Sequence, residues 1–243
     1  MRSNRYLGLA GLWTVVMLAS CASAQGVSVT AKVAADLATK NDRHVAAEDL
    51  SSVVMWLKPL DRPAPQLPAP AHAGPYRLVQ KGKQFIPHLL VVPTGTSVEF
   101  PNLDPFFHNV FSLFNGQRFD LGLYEAGSTR SVRFDREGVS YIFCNIHPEM
   151  GAIVLALSTP YFAVSDAAGE IVIHNVTPGR YEVSFWSENA PAASLAALKH
   201  EITVSSEGAQ LGSIVLPVSR SLAQDHKNKF GEDYKPQPAA NPY

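Results

Sequence analysis

A chain of 243 residues is long enough for one large β domain or two small ones with real cores. Hydrophobic residues make up 46%, charged residues 17%, and the formal net charge is −1, which gives no basic field for nucleic acid and no acidic field for a polycation. The 18 prolines and 16 glycines favour frequent turns and many short strands.

In chain order, the N-terminus reads first as an export signal. Arg2 and Arg5 give a positive start, residues 7–18 are apolar and uncharged, and Ala22-Ser23-Ala24 offers a small-x-small cleavage site. Residues 1–24 are therefore expected to be a signal peptide. Leu18-Ala19-Ser20-Cys21 fits a lipoprotein signal over 1–20 equally well, with Cys21 becoming a lipid anchor. Both readings stay open, and both place the mature chain in the periplasm or outside the cell. The apolar run is too short to span a bilayer, and no later stretch is long enough.

Residues 27–34 alternate in character and predict a strand, 36–50 a loop or short helix, and 52–57 a second strand. Pro59, Pro63, Pro65, Pro68, Pro70 and Pro75 mark an extended linker over 59–75. From 76 to 158 strands are dense: 89–92 and 97–100 around Pro93-Thr94-Gly95, 131–134 and 139–144 around Arg136-Glu137-Gly138, then 152–157. Beyond these, 162–165, 171–174, 181–186 and 200–204 predict strands, with 210–218 as a fifth. Thr177-Pro178-Gly179-Arg180 supplies a type II turn. The tail over 219–243 is polar, without apolar periodicity, and is expected to be poorly ordered.

Of the two cysteines, Cys21 lies in the export segment, which leaves Cys144 as an odd thiol in an oxidising compartment. It belongs to Phe143-Cys144-Asn145-Ile146-His147-Pro148-Glu149-Met150, with Phe107-His108-Asn109-Val110 upstream. Each residue alone has a plain reading: a buried inert thiol, a structural histidine, a packed methionine. Together a thiolate, two imidazoles and a thioether make a soft, mixed donor set that suits copper moving between its two oxidation states. The short turn after the Cys144 strand lets three of these side chains converge. A structural zinc site would recruit a second Cys or His pair, and none is present in the sequence. A Cys–His nucleophilic pair would need a third residue to orient the base.

Val98-Glu99-Phe100-Pro101-Asn102, Phe107-His108-Asn109-Val110, the strand Gly138-Val139-Ser140-Tyr141-Ile142-Phe143 and Cys144-x-x-His147-x-x-Met150-Gly151 together resemble a cupredoxin. The short ligand loop is similar to the amicyanin branch, and the resemblance covers residues 84–158. It implies a Greek-key β-sandwich over 76–158 holding one type 1 copper. His108, Cys144 and His147 would be the strong ligands, Met150 the weak axial one, and Asn109 would steady the ligand loop. Residues 162–169 and Val176-Thr177-Pro178-Gly179-Arg180-Tyr181 resemble a carboxypeptidase regulatory-like β-sandwich, to which 27–58 would add the first strands and 159–218 the rest. The copper unit would then be inserted in a discontinuous β-module, a composite that resembles methylamine-utilisation-like exported proteins.

The expectation is thus an all-β chain of two β-sandwich units that carries single electrons between weak, transient redox protein partners, with no nucleic acid, no membrane span and no bond-making catalysis. Copper carriage or storage, and a structural β-module with an incidental site, are the alternatives. His88 is expected to be structural or superficial, and His174 and His200 to face solvent or neighbouring strands.

Overall fold

The computed structural model describes residues 26–35, 50–65, 75–113, 116–216 and 227–234. Residues 1–25, which hold the expected export signal, residues 36–49, part of the proline linker and the end of the tail lie outside the described residues.

Two strands open the chain, β1 (Val27–Ala35) and β2 (Val54–Pro59). Ten follow: β3 (Tyr76–Arg77), β4 (Val79–Gln80), β5 (Phe85–Ile86), β6 (Leu89–Pro93), β7 (Thr96–Pro101), β8 (His108–Ser112), β9 (Phe119–Tyr124), β10 (Thr129–Phe134), β11 (Gly138–Phe143) and β12 (Gly151–Leu157). The last stretch holds β13 (Phe162–Val164), β14 (Glu170–Val176), β15 (Gly179–Trp186), the short helix α1 (Ala192–Ala197), β16 (His200–Val204) and β17 (Ala209–Leu216). The all-β class expected from the sequence is what the described residues form.

Pairing separates the strands by position in the chain. The middle ten form a five-stranded sheet β6-β12-β11-β8-β9, a facing sheet β10-β7-β3 and the small ladder β4-β5. The strands on either side form β14-β1-β17 and β13-β2-β15-β16. β1 and β2, from the start of the chain, pair with strands more than a hundred residues later. Each set closes on its own core. Leu78, Phe85, Val98, Phe100, Phe134, Ile142 and Val154 fill the middle one. Met55, Leu57, Ile171, Tyr181 and Val183 fill the other.

Alternation explains how each strand faces its core. In β7, Val98 and Phe100 point inward while Ser97 and Glu99 do not, the period of a half-buried strand. β12 differs: from Ala152 to Leu157 every residue is buried. Its period of two sends Ala152, Val154 and Ala156 into the middle core. Ile153, Leu155 and Leu157 face the other way, against Val54 and Trp186 of the flanking sheets. Both faces of β12 are therefore covered, which its unbroken apolar run requires. The same strand is the wall shared by the two sets of sheets. Fully burying each such aliphatic side chain is worth about 1.5–3 kcal/mol relative to exposure.

Three differences from expectation have local causes. β8, β9 and the short strands β3, β4 and β5 were not expected; in β9, Phe119-Asp120-Leu121-Gly122-Leu123-Tyr124 contains a glycine and an aspartate that lower its strand signal. α1 is short, and its helix-forming alanines follow Pro191 without a side-chain cap. The tail residues 227–234, expected to be poorly ordered, lie against the loop after β11, where specific hydrogen bonds replace the missing apolar contacts.

Candidate metal centre

β11 ends at Phe143 and β12 begins at Gly151, and these two residues face one another in the ladder. The loop between them closes by two backbone bonds, Cys144 N–H to the Met150 carbonyl (3.2 Å) and Met150 N–H to the His147 carbonyl (3.1 Å). A turn this tight turns Cys144 and His147 toward the same point. β8 pairs antiparallel with β11 through Phe111 and Phe143, so its first residue, His108, falls beside the start of the loop.

The three donor atoms meet there. Cys144 Sγ lies 3.6 Å from His147 Nδ1 and 3.8 Å from His108 Nδ1, and the two Nδ1 atoms are 3.1 Å apart. His108, Cys144 and His147 are close enough to hold a metal ion, and all three are buried. Met150 is also fully buried and packs in the same core cluster as Cys144.

A carboxylate positions His108. Asp104 Oδ2 lies 2.8 Å from His108 Nε2. The Asp104 carboxylate also accepts from the Gly82 amide at 2.6 Å and the Lys83 amide at 2.9 Å. Gly82 and Lys83 both have left-handed backbone (φ 63° and 56°), which points two successive amides at one anion. Burial pushes the Asp104 carboxyl up, but the Lys83 amide, His108 and the Gly82 amide outweigh it, and it ends below the usual range. An ionised carboxylate only accepts, so His108 Nε2 donates to it, and Nδ1 is the nitrogen that faces the centre. Asn102 shapes the intervening turn: its Oδ1 accepts from the Asp104 amide (3.1 Å), and its Nδ2 donates to the Phe106 carbonyl (2.8 Å).

The surroundings are buried and aromatic. The Phe106 ring covers both imidazoles, with centroids 5.2 Å from His108 and 5.7 Å from His147. Burial pushes the Cys144 thiol up, and the backbone amides of Asn109, Ile146 and His147 offset this only in part, so it stays above its ordinary value. Those amides favour the thiolate, the form that ligates metal. His147 is held below the ordinary histidine range by burial, then by His108 and Lys83, which keeps it neutral. One sulfur and two imidazole nitrogens in a buried pocket, with no carboxylate among the three donors, fit a soft transition-metal ion and not a hard cation such as magnesium.

The structure brings together His108, Cys144 and His147 as the sequence predicts, with Met150 beside them. The backbone amide of Asn109 approaches the Cys144 sulfur, while its side chain turns to β9, where Nδ2 donates to Asp120 Oδ1 at 2.8 Å. His88 is outside the centre. Its Nε2 meets Glu188 Oε2 at 2.6 Å, and its Nδ1 lies 3.1 Å from the Gly151 carbonyl. His174 and His200 are exposed on the flanking sheets, beside Ser28 and the Leu198 carbonyl. Sequence reasoning missed Asp104; the only signal was an acid four residues before His108 in a turn headed by Asn102.

No protein-family model matches the chain, and no curated protein matches it. Similar solved structures include the Cu-containing nitrite reductase of Thermus scotoductus SA-01, at 26% identity over 34% of this chain, with TM-score 0.33. The chain covers only 22% of that reductase. A purple cupredoxin from Nitrosopumilus maritimus is 26% identical over 34% of this chain and 99% of its own, with TM-score 0.31. Amicyanin from Paracoccus versutus is 18% identical over 36% of this chain and 86% of its own, with TM-score 0.32.

Proposed function

We propose that the chain is an exported copper protein that passes single electrons, with His108, Cys144 and His147 as strong ligands and Met150 as a weak axial one. The observation that carries the reading is the convergence of two imidazole Nδ1 atoms and one buried sulfur, with Asp104 fixing the His108 tautomer. Copper bound there would supply one-electron exchange between its two oxidation states. The protein's part is to hold the donors in place and keep water out. His108 is pinned between β8 and Asp104, Cys144 by amides on its sulfur, and Phe106 lies over the imidazoles. Because the donors already converge on one point, little movement is needed when the metal changes charge.

We take His147, 3% exposed against 0% for His108 and Cys144, as the ligand through which electrons would pass to a partner. Leu103 (58% exposed) and Phe107 (55% exposed), in the loop carrying Asp104 and Phe106, give an apolar rim suited to a weak, transient redox protein. We propose no bond-making catalysis: the one cluster of metal-binding groups found among the described residues would be spent on holding a single copper. The flanking β-sheets would be the carboxypeptidase regulatory-like module of a methylamine-utilisation-like exported protein, located in the periplasm or outside the cell. No described helix is long and apolar enough to cross a membrane.

The test is the visible spectrum of the purified protein with one equivalent of Cu(II), beside Cys144→Ser. An intense blue band absent from the variant is expected. A pale spectrum shared by both would remove Cys144 from the ligand set and leave copper carriage or a structural role.

A further inference from the structure

The tail residues 227–234 return to the ligand loop. Tyr234 Oη donates to the Cys144 carbonyl at 2.7 Å. The Lys229 amide donates to Asn145 Oδ1 at 2.9 Å. Lys229 Nζ reaches Asp120 Oδ2 at 2.8 Å, and the other oxygen of that carboxylate accepts from Asn109 Nδ2 at 2.8 Å. The tail thus holds both sides of the centre: Cys144 and Asn145 on the loop, and through Asp120 the residue after His108. The segment is short and polar and has a core of its own neither in sequence nor in packing. Its Phe230 ring is exposed beside the Lys229 ammonium. Such a piece opens at low cost, independently of the sheets.

We propose that Lys229 and Tyr234 are positioning residues that clasp the ligand loop, so that opening of the tail sets how readily Cys144 is reached and metal enters or leaves. The metal half of this statement rests on the copper reading above; the access half does not. The loop has its own closing bonds, and the tail adds ties to the carbonyl of Cys144 and the side chain of Asn145. Releasing them lets the loop turn away from the β8 end without breaking any sheet ladder. A site whose donors are otherwise fully buried needs such a movement for exchange.

The experiment uses the full chain, metal-free, and follows alkylation of Cys144 by iodoacetamide with peptide mapping to separate it from Cys21. Tyr234→Phe keeps the ring and removes the hydroxyl; Lys229→Ala/Tyr234→Phe removes the ammonium as well. Tyr161→Phe, which loses a hydroxyl contact to Thr177 in the flanking sheets, controls for general loosening. Alkylation about fivefold faster in Tyr234→Phe is expected for one lost hydrogen bond, and faster still in the double variant. Release of Cu(I) to a competing chelator should quicken by a similar factor. Alkylation rates equal to the parent, or the same acceleration in Tyr161→Phe, would overturn the clasp. Faster alkylation in a protein that binds no copper would uphold the clasp on the thiol and overturn the copper reading alone.

Discussion

Asp104 Oδ2 and His108 Nε2 are 2.8 Å apart, and this contact decides which nitrogen of His108 faces Cys144. The carboxylate is itself fixed by two backbone amides from the turn at Gly82 and Lys83, so the orientation of a candidate ligand is inherited from a segment more than twenty residues upstream. An imidazole held in one tautomer has already lost the freedom that metal binding would otherwise have to remove.

Asp104→Asn should therefore weaken copper binding by about 10-fold to 100-fold, since the amide can turn its NH2 toward His108 and no longer favours one tautomer. Competition against a chelator of known affinity measures it. Equal affinity in parent and variant would separate Asp104 from the site.

Beneath the centre, Tyr124 Oη donates to the Phe100 carbonyl at 3.0 Å and accepts from Gln80 Nε2. Burial pushes the phenol far above its ordinary value, so it stays protonated and donating. Tyr124→Phe leaves a buried amide short of its partner and should cost about 1–3 kcal/mol. Urea unfolding of the metal-free protein reads this directly, and a cost near zero would mean water replaces the hydroxyl.

Leu155 lies on the face of β12 that meets Val54 and Trp186. Leu155→Ala should lower stability by about 2–5 kcal/mol, because the strand is covered on both faces and a cavity there cannot collapse. The copper spectrum should persist in the variant, since the opposite face of β12 lines the metal-site core. Loss of the spectrum with little loss of stability would contradict that division.

His88 joins the loop before β6 to Glu188 after β15, and its pKa is raised by the hydrogen bond to Glu188, against the opposing pull of burial. A raised folded value means the protonated form is favoured by folding. The contribution is fully present below the unfolded value of about 6.5 and is lost as pH rises through the higher folded value. His88→Gln should accordingly lower the melting temperature at mildly acid pH, with the gap to the parent closing as pH rises. A gap that widens with pH would reverse the assignment. His88 is half exposed, so a small effect is expected.

Much of the fold was legible because alternation is a local property. Ser97-Val98-Glu99-Phe100 announces a half-buried strand whatever it packs against. The candidate ligands were legible for a related reason: Cys144, His147 and Met150 lie within one turn, where sequence distance bounds spatial distance. Asp104 was not legible, since an acid in a turn is usually solvated, and only the amides of Gly82 and Lys83 make it a fixed anion. The tail misled in the opposite direction. Its composition lacks apolar periodicity, and nothing in it signals that Tyr234 finds the carbonyl of Cys144.

The sequence by itself determined the class of strands, the soft donor set and the turn that gathers three of its members, because each depends on residues near in the chain. The tertiary structure alone decided three things. His108 joins Cys144 through the pairing of β8 with β11; its tautomer is set by Asp104; and β1 and β2 find their partners more than a hundred residues later. Those contacts form between segments whose separation in sequence carries no information about their separation in space. They hold because closing the cores buries enough apolar surface to offset the entropy of bringing distant segments together.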